Sequence, residues 1–311
     1  MKHKILITGA TGFIGQSLSK TLAKKNHHLV AAVRKMSHTL PPEIQQITIK
    51  QFNKNECVEL MDNIDCIIHL AGRAHILKEK NQHPLEIFRE INVTATLNLA
   101  NEAAKKGVKR FIFISSIGVN GNQSKHPFLA DDIPNPVEPY AQSKLEAEQG
   151  LLAIAKQTNL EVVIIRPPLV YGANAPGNFG RLIKIVKKGT PLPLGAIYNR
   201  RSLVSLDNLI SLILLTISHP NAKNSIFLVS DDNDVSTTQL LQFISKALGK
   251  KILLMPLPQY IVTSLLYLLN KPKLVQRLCG SLQVDIAKTK QQLSWSPVLT
   301  FEEGIKKSVE G

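Results

Sequence analysis

The stretch Ile5-Leu6-Ile7-Thr8-Gly9-Ala10-Thr11-Gly12-Phe13-Ile14-Gly15 decides the fold: an apolar strand breaks into three spaced glycines and then opens a helix. Gly9 permits the tight strand-to-helix turn, Gly12 lets backbone N–H groups approach a pyrophosphate, and Gly15 lets helix pack on strand. The flanks agree, because a β-branched run precedes the glycines and an amphipathic stretch with Phe13, Leu18 and Leu22 follows them. Three glycines thus read as a dinucleotide-binding turn, with Thr11, Phe13 and Ile14 in its wall.

Outward from that turn, strands and helices alternate. Strands are expected at Leu29–Val33, Ile47–Ile49, Cys66–Leu70, Phe111–Ser115 and Val162–Arg166. Helices are expected up to Lys24, near Glu56–Met61, at Pro84–Lys105 and at Tyr140–Lys156. The alternation predicts an α/β fold: a Rossmann-like, doubly wound parallel sheet that binds its ligand at the carboxyl edge. Residues 1–166 form the dinucleotide-binding domain, with some later segments returning to it, and residues 167–311 form a smaller C-terminal, substrate-binding lobe. From Pro167 to Gly195 the pattern loosens into a loop rich in proline and glycine.

The 311 residues, 44% of them hydrophobic, suffice for a sizeable core. Cys57, Cys66 and Cys279 match neither a zinc site nor a disulfide framework and read as reduced thiols, which points to the cytoplasm. No signal peptide is expected before the first strand. No metal is expected, since His3, His27, His28, His38, His83, His126 and His219 lack ligand spacing and His69 and His75 form no ligand pair. The formal charge of +15 favours anionic small molecules; the lysines come in scattered pairs without an aromatic-interleaved stripe, so nucleic acid is not expected. The apolar run Ile252–Leu269 is interrupted by Pro256 and Pro258, which leaves a helix at Gln259–Asn270 too short to span a bilayer. Core packing is its expected role, and the runner-up is a peripheral membrane contact aided by Lys271 and Lys273. Asp131, Asp132, Asp231, Asp232 and Asp234 read as turn and loop carboxylates.

Tyr140 and Lys144 stand four apart on a predicted helix and so share a face. A free phenol is a weak base at neutral pH, and a nearby ammonium favours phenolate. With the three-and-three glycine spacing, His69-Leu70-Ala71-Gly72, Phe111–Gly121, Tyr140-Ala141-Gln142-Ser143-Lys144, Arg166–Gly172 and Arg200–Asp207, the chain resembles the extended short-chain dehydrogenase/reductase family. The resemblance runs from Lys4 to about Ile305, and most such enzymes act on nucleotide sugars.

The resemblance implies roles. Tyr140 is the general acid/base, Lys144 also holds the nicotinamide ribose, and Ser116, counted back from Val119-Asn120-Gly121, hydrogen-bonds the reacting oxygen. Ser115 is the weaker candidate. Leu70, Ala71, Gly72, Asn92 and Pro167 belong to the cofactor site. Asn178 and Arg200 contact a UDP diphosphate; Arg181 and Arg277 are further substrate candidates, and Arg201 stands where an aspartate is more usual. Asn120, in place of a tyrosine, either opens the pocket or is a plain loop residue. A homodimer is expected.

Arg34, nineteen residues past Gly15, occupies the place of the acidic residue that binds the ribose of NAD, so NADP(H) is favoured and NAD(H) is the alternative. Arg34 tilts the expectation toward a reductase, and the blocks His69–His75, Pro191–Gly195 and Asn199–Ser202 resemble bacterial reductases of surface-polysaccharide pathways, so the resemblance implies reduction at carbon 4 of a UDP-4-keto-6-deoxy-N-acetylhexosamine. The alternatives are a UDP-glucose or UDP-N-acetylglucosamine 4-epimerase and a non-catalytic dinucleotide sensor.

Overall fold

The computed structural model describes residues 2–73 and 84–310. In chain order the first half contains β1 (Lys4–Thr8), α1 (Phe13–Ala23), β2 (His28–Val33), β3 (Gln45–Thr48), α2 (Lys54–Glu59), β4 (Cys66–His69), α3 (Pro84–Phe88), α4 (Ala95–Lys105), β5 (Arg110–Ile114), α5 (Pro139–Gln157) and β6 (Glu161–Arg166). The second half contains β7 (Leu169–Tyr171), α6 (Asn178–Lys188), β8 (Leu203–Ser205), α7 (Leu206–Thr216), β9 (Ser225–Leu228) and α8 (Thr237–Ala247). It ends with α9 (Gln259–Leu268), α10 (Pro272–Cys279), α11 (Ala287–Leu293) and α12 (Phe301–Glu310).

Seven strands make one parallel sheet in the order β3-β2-β1-β4-β5-β6-β9. The winding reverses between β1 and β4, so the chain leaves a crevice beyond the carboxyl ends of these two strands. Both faces are apolar because both are covered. Ile5 and Ile7 meet Leu18 and Leu22 of α1 and Leu209 and Ile213 of α7. Leu6, Phe111 and Phe113 lie with Leu99 of α4 and Leu151 of α5 in a second cluster. Each such side chain contributes about 1.5–3 kcal/mol by leaving water. β9 comes from the second half yet closes the sheet beside β6, and the short β7–β8 pair lies outside it.

Three expectations change. The helix expected over Pro84–Lys105 is interrupted by a π-helical turn at Arg89–Thr94, which buries Asn92. The segment 167–195 is not simply loop: β7 and α6 lie within it, and α6 buries Phe179, Ile183 and Val186, an i, i+4, i+7 stripe masked by the surrounding prolines and glycines. The apolar helix α9 is not core, because Val262 is its one buried residue.

Candidate active site

At the head of α1, Gly12 is extended at φ −78° and ψ 174°, no side chain caps the helix, and its first turn carries no acidic residue. Its first N–H groups are therefore directed at the crevice without a competing carboxylate. Gly9 sits at φ +69°, and a Cβ there would lie 2.7 Å from the Ala71 amide nitrogen. A Cβ at Gly15 would lie 2.1 Å from the Gly9 carbonyl oxygen. Glycine is thus required for conformation at one position and for helix–strand contact at the other. This cradle fits a dinucleotide pyrophosphate. Ser115 Oγ, just past β5, and Ser19 Oγ of α1 are buried without a hydrogen-bond partner.

A directed chain of hydrogen bonds braces the crevice. The Ala71 amide donates to Thr8 Oγ1 at 3.2 Å, and Thr8 Oγ1 lies 2.8 Å from His69 Nδ1. On the other side His69 Nε2 lies 2.9 Å from Thr96 Oγ1, which donates to the Asn92 carbonyl at 2.8 Å. Because Thr96 spends its hydrogen on that carbonyl, His69 donates from Nε2 and accepts at Nδ1. Burial, and secondarily the Lys144 charge, lowers the His69 pKa to about 3, so the ring is a neutral strut. The Asn92 side chain accepts from the Arg73 amide at 2.8 Å and donates to the Arg73 carbonyl and to Ser143 Oγ. The π-turn thereby ties α5 to the loop after β4. His75 and His83 lie outside the described residues.

Tyr140 and Lys144 occupy the first two turns of α5. Lys144 is buried; its Nζ donates to the Ile114 carbonyl at 2.8 Å, stands 4.2 Å over the Phe113 ring centre, and would be 3.5 Å from a Cβ at Gly72. Burial lowers its pKa to about 8, with the Glu148 charge opposing the shift. Burial also pushes the Tyr140 phenol up to about 12. Desolvation of both groups thus dominates over the expected lowering of the phenol by the lysine. Ser116 is half-buried with Oγ accepting from the Gly118 amide at 3.1 Å, and the Gly118 turn packs against Ala141 of α5. The Pro167 carbonyl accepts from the Ile117 amide at 3.0 Å, which fixes this turn to the end of β6.

The crevice floor carries a buried ion pair. Arg166 Nε donates to Glu148 at 3.0 Å, Nη2 donates to the same carboxylate at 2.5 Å, and Nη1 donates to Asn120 Oδ1 at 3.0 Å. Asn120 also donates to the Leu129 carbonyl, so it is a structural tie rather than an opening in the pocket. Asp231 is likewise no turn carboxylate: it is buried and accepts from the Tyr171 hydroxyl at 2.6 Å and from the Ser205 amide.

On the substrate side, Asn178 opens α6 half-buried, whereas Arg181, Arg200 and Arg277 are exposed. Arg200 and Arg201 point oppositely along an extended segment bridged to Val235 and Leu282. Arg200 shares a shallow pocket with Tyr198, Asp234 and Gln239. Arg201 turns inward, donates to the Gly280 carbonyl at 2.9 Å, and is held below its ordinary pKa by burial. There it faces α10, whose Gln276 bonds the Asn122 carbonyl in the loop after Ser116. Arg34 and Lys35 are exposed at the end of β2. No group of His, Cys, Asp and Glu among the described residues could hold a metal ion.

This chain belongs to the NAD dependent epimerase/dehydratase family, whose model matches residues 5–230. It is 43% identical over 316 aligned positions to a UDP-glucose 4-epimerase of Vibrio cholerae, covering 100% of this chain and 95% of that protein. A 4-epimerase of Escherichia coli O157:H7 acting on N-acetyl-alpha-D-glucosaminyl-diphospho-ditrans,octacis-undecaprenol is 26% identical, with 100% and 95% covered. The fold matches that of MoeE5 in complex with UDP-glucose and NAD at a TM-score of 0.79 and 24% identity, over 99% and 97% of the two chains.

Proposed function

We propose that this protein is a UDP-sugar 4-epimerase, in preference to the 4-keto-sugar reductase expected from Arg34. The observation that carries the reading is full-length similarity to a UDP-glucose 4-epimerase together with Tyr140, Lys144, Ser116 and Asn92 at one sheet edge. A bound nicotinamide dinucleotide would accept hydride from carbon 4 and return it to the other face.

Tyr140 takes the hydroxyl proton as the hydride leaves and gives it back when the hydride returns. Ser116 Oγ donates to the same oxygen while it is a ketone. Lys144, fixed by the Ile114 carbonyl beside Gly72, supplies the charge that stabilises phenolate once substrate closes over the pair. The glycine turn would hold the dinucleotide while Asn92 braces the loop after β4, and Asn178 and Arg201 are the candidates for the diphosphate, Arg277 lining the depression beside Lys271 and Lys273 instead. Of the neighbouring arginines, Arg201 suits this task better than the exposed Arg200, because it is half-buried and turned toward α10.

Arg34 leaves the adenosine end open to a 2′-phosphate, so the site takes NAD(H) and also tolerates NADP(H). Purified protein incubated with UDP-glucose or UDP-N-acetylglucosamine is expected to form the 4-epimer with no net change in nicotinamide absorbance. One-for-one consumption of NADPH by a UDP-4-keto sugar, with no epimer formed, would establish the reductase instead.

A further inference from the structure

From Val235 to Val284 the sequence contains Lys246, Lys250, Lys251, Lys271, Lys273 and Arg277 and not one aspartate or glutamate. Within this stretch α9 has its polarity inverted. Val262 is buried, yet Tyr260, Ile261, Leu265, Tyr267 and Leu268 are exposed, the last at 84%. At ~100° per residue these five side chains fall on one broad arc of the helix, interrupted by Ser264 alone. Leu269 at the end of the helix is exposed as well, as are Leu253 and Met255 in the segment before α9. A water-facing helix ordinarily carries charge on that arc, and a contiguous apolar patch rimmed by polar groups marks an interaction surface.

The rim decides the occupant. Lys271 and Lys273 stand exposed at the turn from α9 into α10 and, with Asn270, Leu274 and Arg277, line a shallow depression at the end of α9. Apolar side chains on the outward arc and cations at its border are the arrangement of a helix lying in a membrane interface, its apolar side among acyl chains and its lysines among anionic headgroups. A second copy of this chain docked through the same surface would bring no carboxylate to these cations, since the stretch from Val235 to Val284 has none. No helix among the described residues is long and apolar enough to cross a membrane, so the contact is peripheral.

We propose that α9 and the turn at Lys271–Lys273 dock this protein onto an anionic lipid surface. The proposal stands on exposure and charge and is independent of the reaction catalysed.

The test is co-sedimentation of the full chain with vesicles of phosphatidylglycerol and phosphatidylethanolamine, against vesicles of phosphatidylcholine alone. The chain should partition at least tenfold more strongly onto the anionic vesicles, and added salt should weaken that binding. Leu265→Ser/Leu268→Ser and Lys271→Glu/Lys273→Glu should each lower it at least tenfold while the circular dichroism spectrum and dinucleotide affinity stay unchanged. Both pairs are exposed, so folding does not depend on them. Failure of the parent chain to bind anionic vesicles, or equal binding by the variants, would overturn the proposal. So would sedimentation-velocity evidence that Leu265→Ser/Leu268→Ser converts a dimer to a monomer without changing vesicle binding, since the patch would then be covered by a second copy.

Discussion

The carboxyl edge of the sheet and the α9–α10 corner break the rule of apolar inside and polar outside in opposite senses. At the carboxyl edge of the sheet Thr8, His69, Asn92, Lys144, Glu148 and Arg166 are buried. At the corner, leucines and tyrosines are turned outward. The first departure costs desolvation, which hydrogen bonds offset almost group by group; the second forgoes burial, with nothing inside the chain to offset it. Departures of both kinds concentrate where a protein meets something other than itself.

The sharpest way to break this contrast is to remove one member of the buried set. Glu148→Ala leaves the Arg166 guanidinium buried without its carboxylate and should cost about 3–5 kcal/mol in urea unfolding. A loss below about 1 kcal/mol would mean that water reaches the pair. Next in size is Tyr140→Phe, which should lower turnover about 100-fold or more while leaving dinucleotide affinity intact, as checked by steady-state kinetics and fluorescence titration.

Lys144 sharpens the comparison through pH. Its pKa is about 8 in the folded chain against an ordinary value of 10.5, so the buried ammonium is disfavoured by folding. The unfolded chain then binds more protons between about pH 8 and 10.5, and this group's contribution to stability rises across that window. Below it the penalty is present in full. Relative to Lys144→Met, the parent chain should gain stability from pH 8 to 10, measured as the difference in Tm between the two. A flat difference would place the ammonium in solvent. At the exposed adenosine end, Arg34→Asp should weaken NADPH about tenfold or more and NADH far less. The smallest effect is expected at the corner, where Leu268→Ser should change folding stability by no more than about 0.5 kcal/mol.

The nucleotide-binding half was legible because periodicity and glycine geometry are local. The run Ile5–Gly15 carries its own strand, turn and helix, and the structure places β1 and α1 within a residue or two of their expected bounds. The strut formed by His69 was not legible, since its partners Thr8 and Thr96 are brought together only by strand order and helix packing. Asn120 and Asp231 looked like loop residues for the same reason: Arg166 and Tyr171, which bury them, are distant in sequence. The α6 helix could have been found from Phe179, Ile183 and Val186, but Pro176 and Gly177 beside it read as loop. For α9 the apolar pattern was visible and its direction was not, because a one-dimensional pattern does not say which side of a helix meets the core. Lys144 was expected to act on Tyr140, whereas its burial and its bond to the Ile114 carbonyl depend on three-dimensional packing.

The measurement that most directly tests the central claim is an isotope experiment at carbon 4. UDP-glucose and UDP-N-acetylglucosamine deuterated at carbon 4 are incubated with the protein as purified, and the products are read by proton and deuterium NMR. Oxidation and return of the same hydride predicts a UDP-galactose-type epimer that retains deuterium at carbon 4, with no stoichiometric loss of added cofactor. Absence of any epimer from either sugar, together with one-for-one oxidation of NADPH by a UDP-4-keto sugar, would contradict the account.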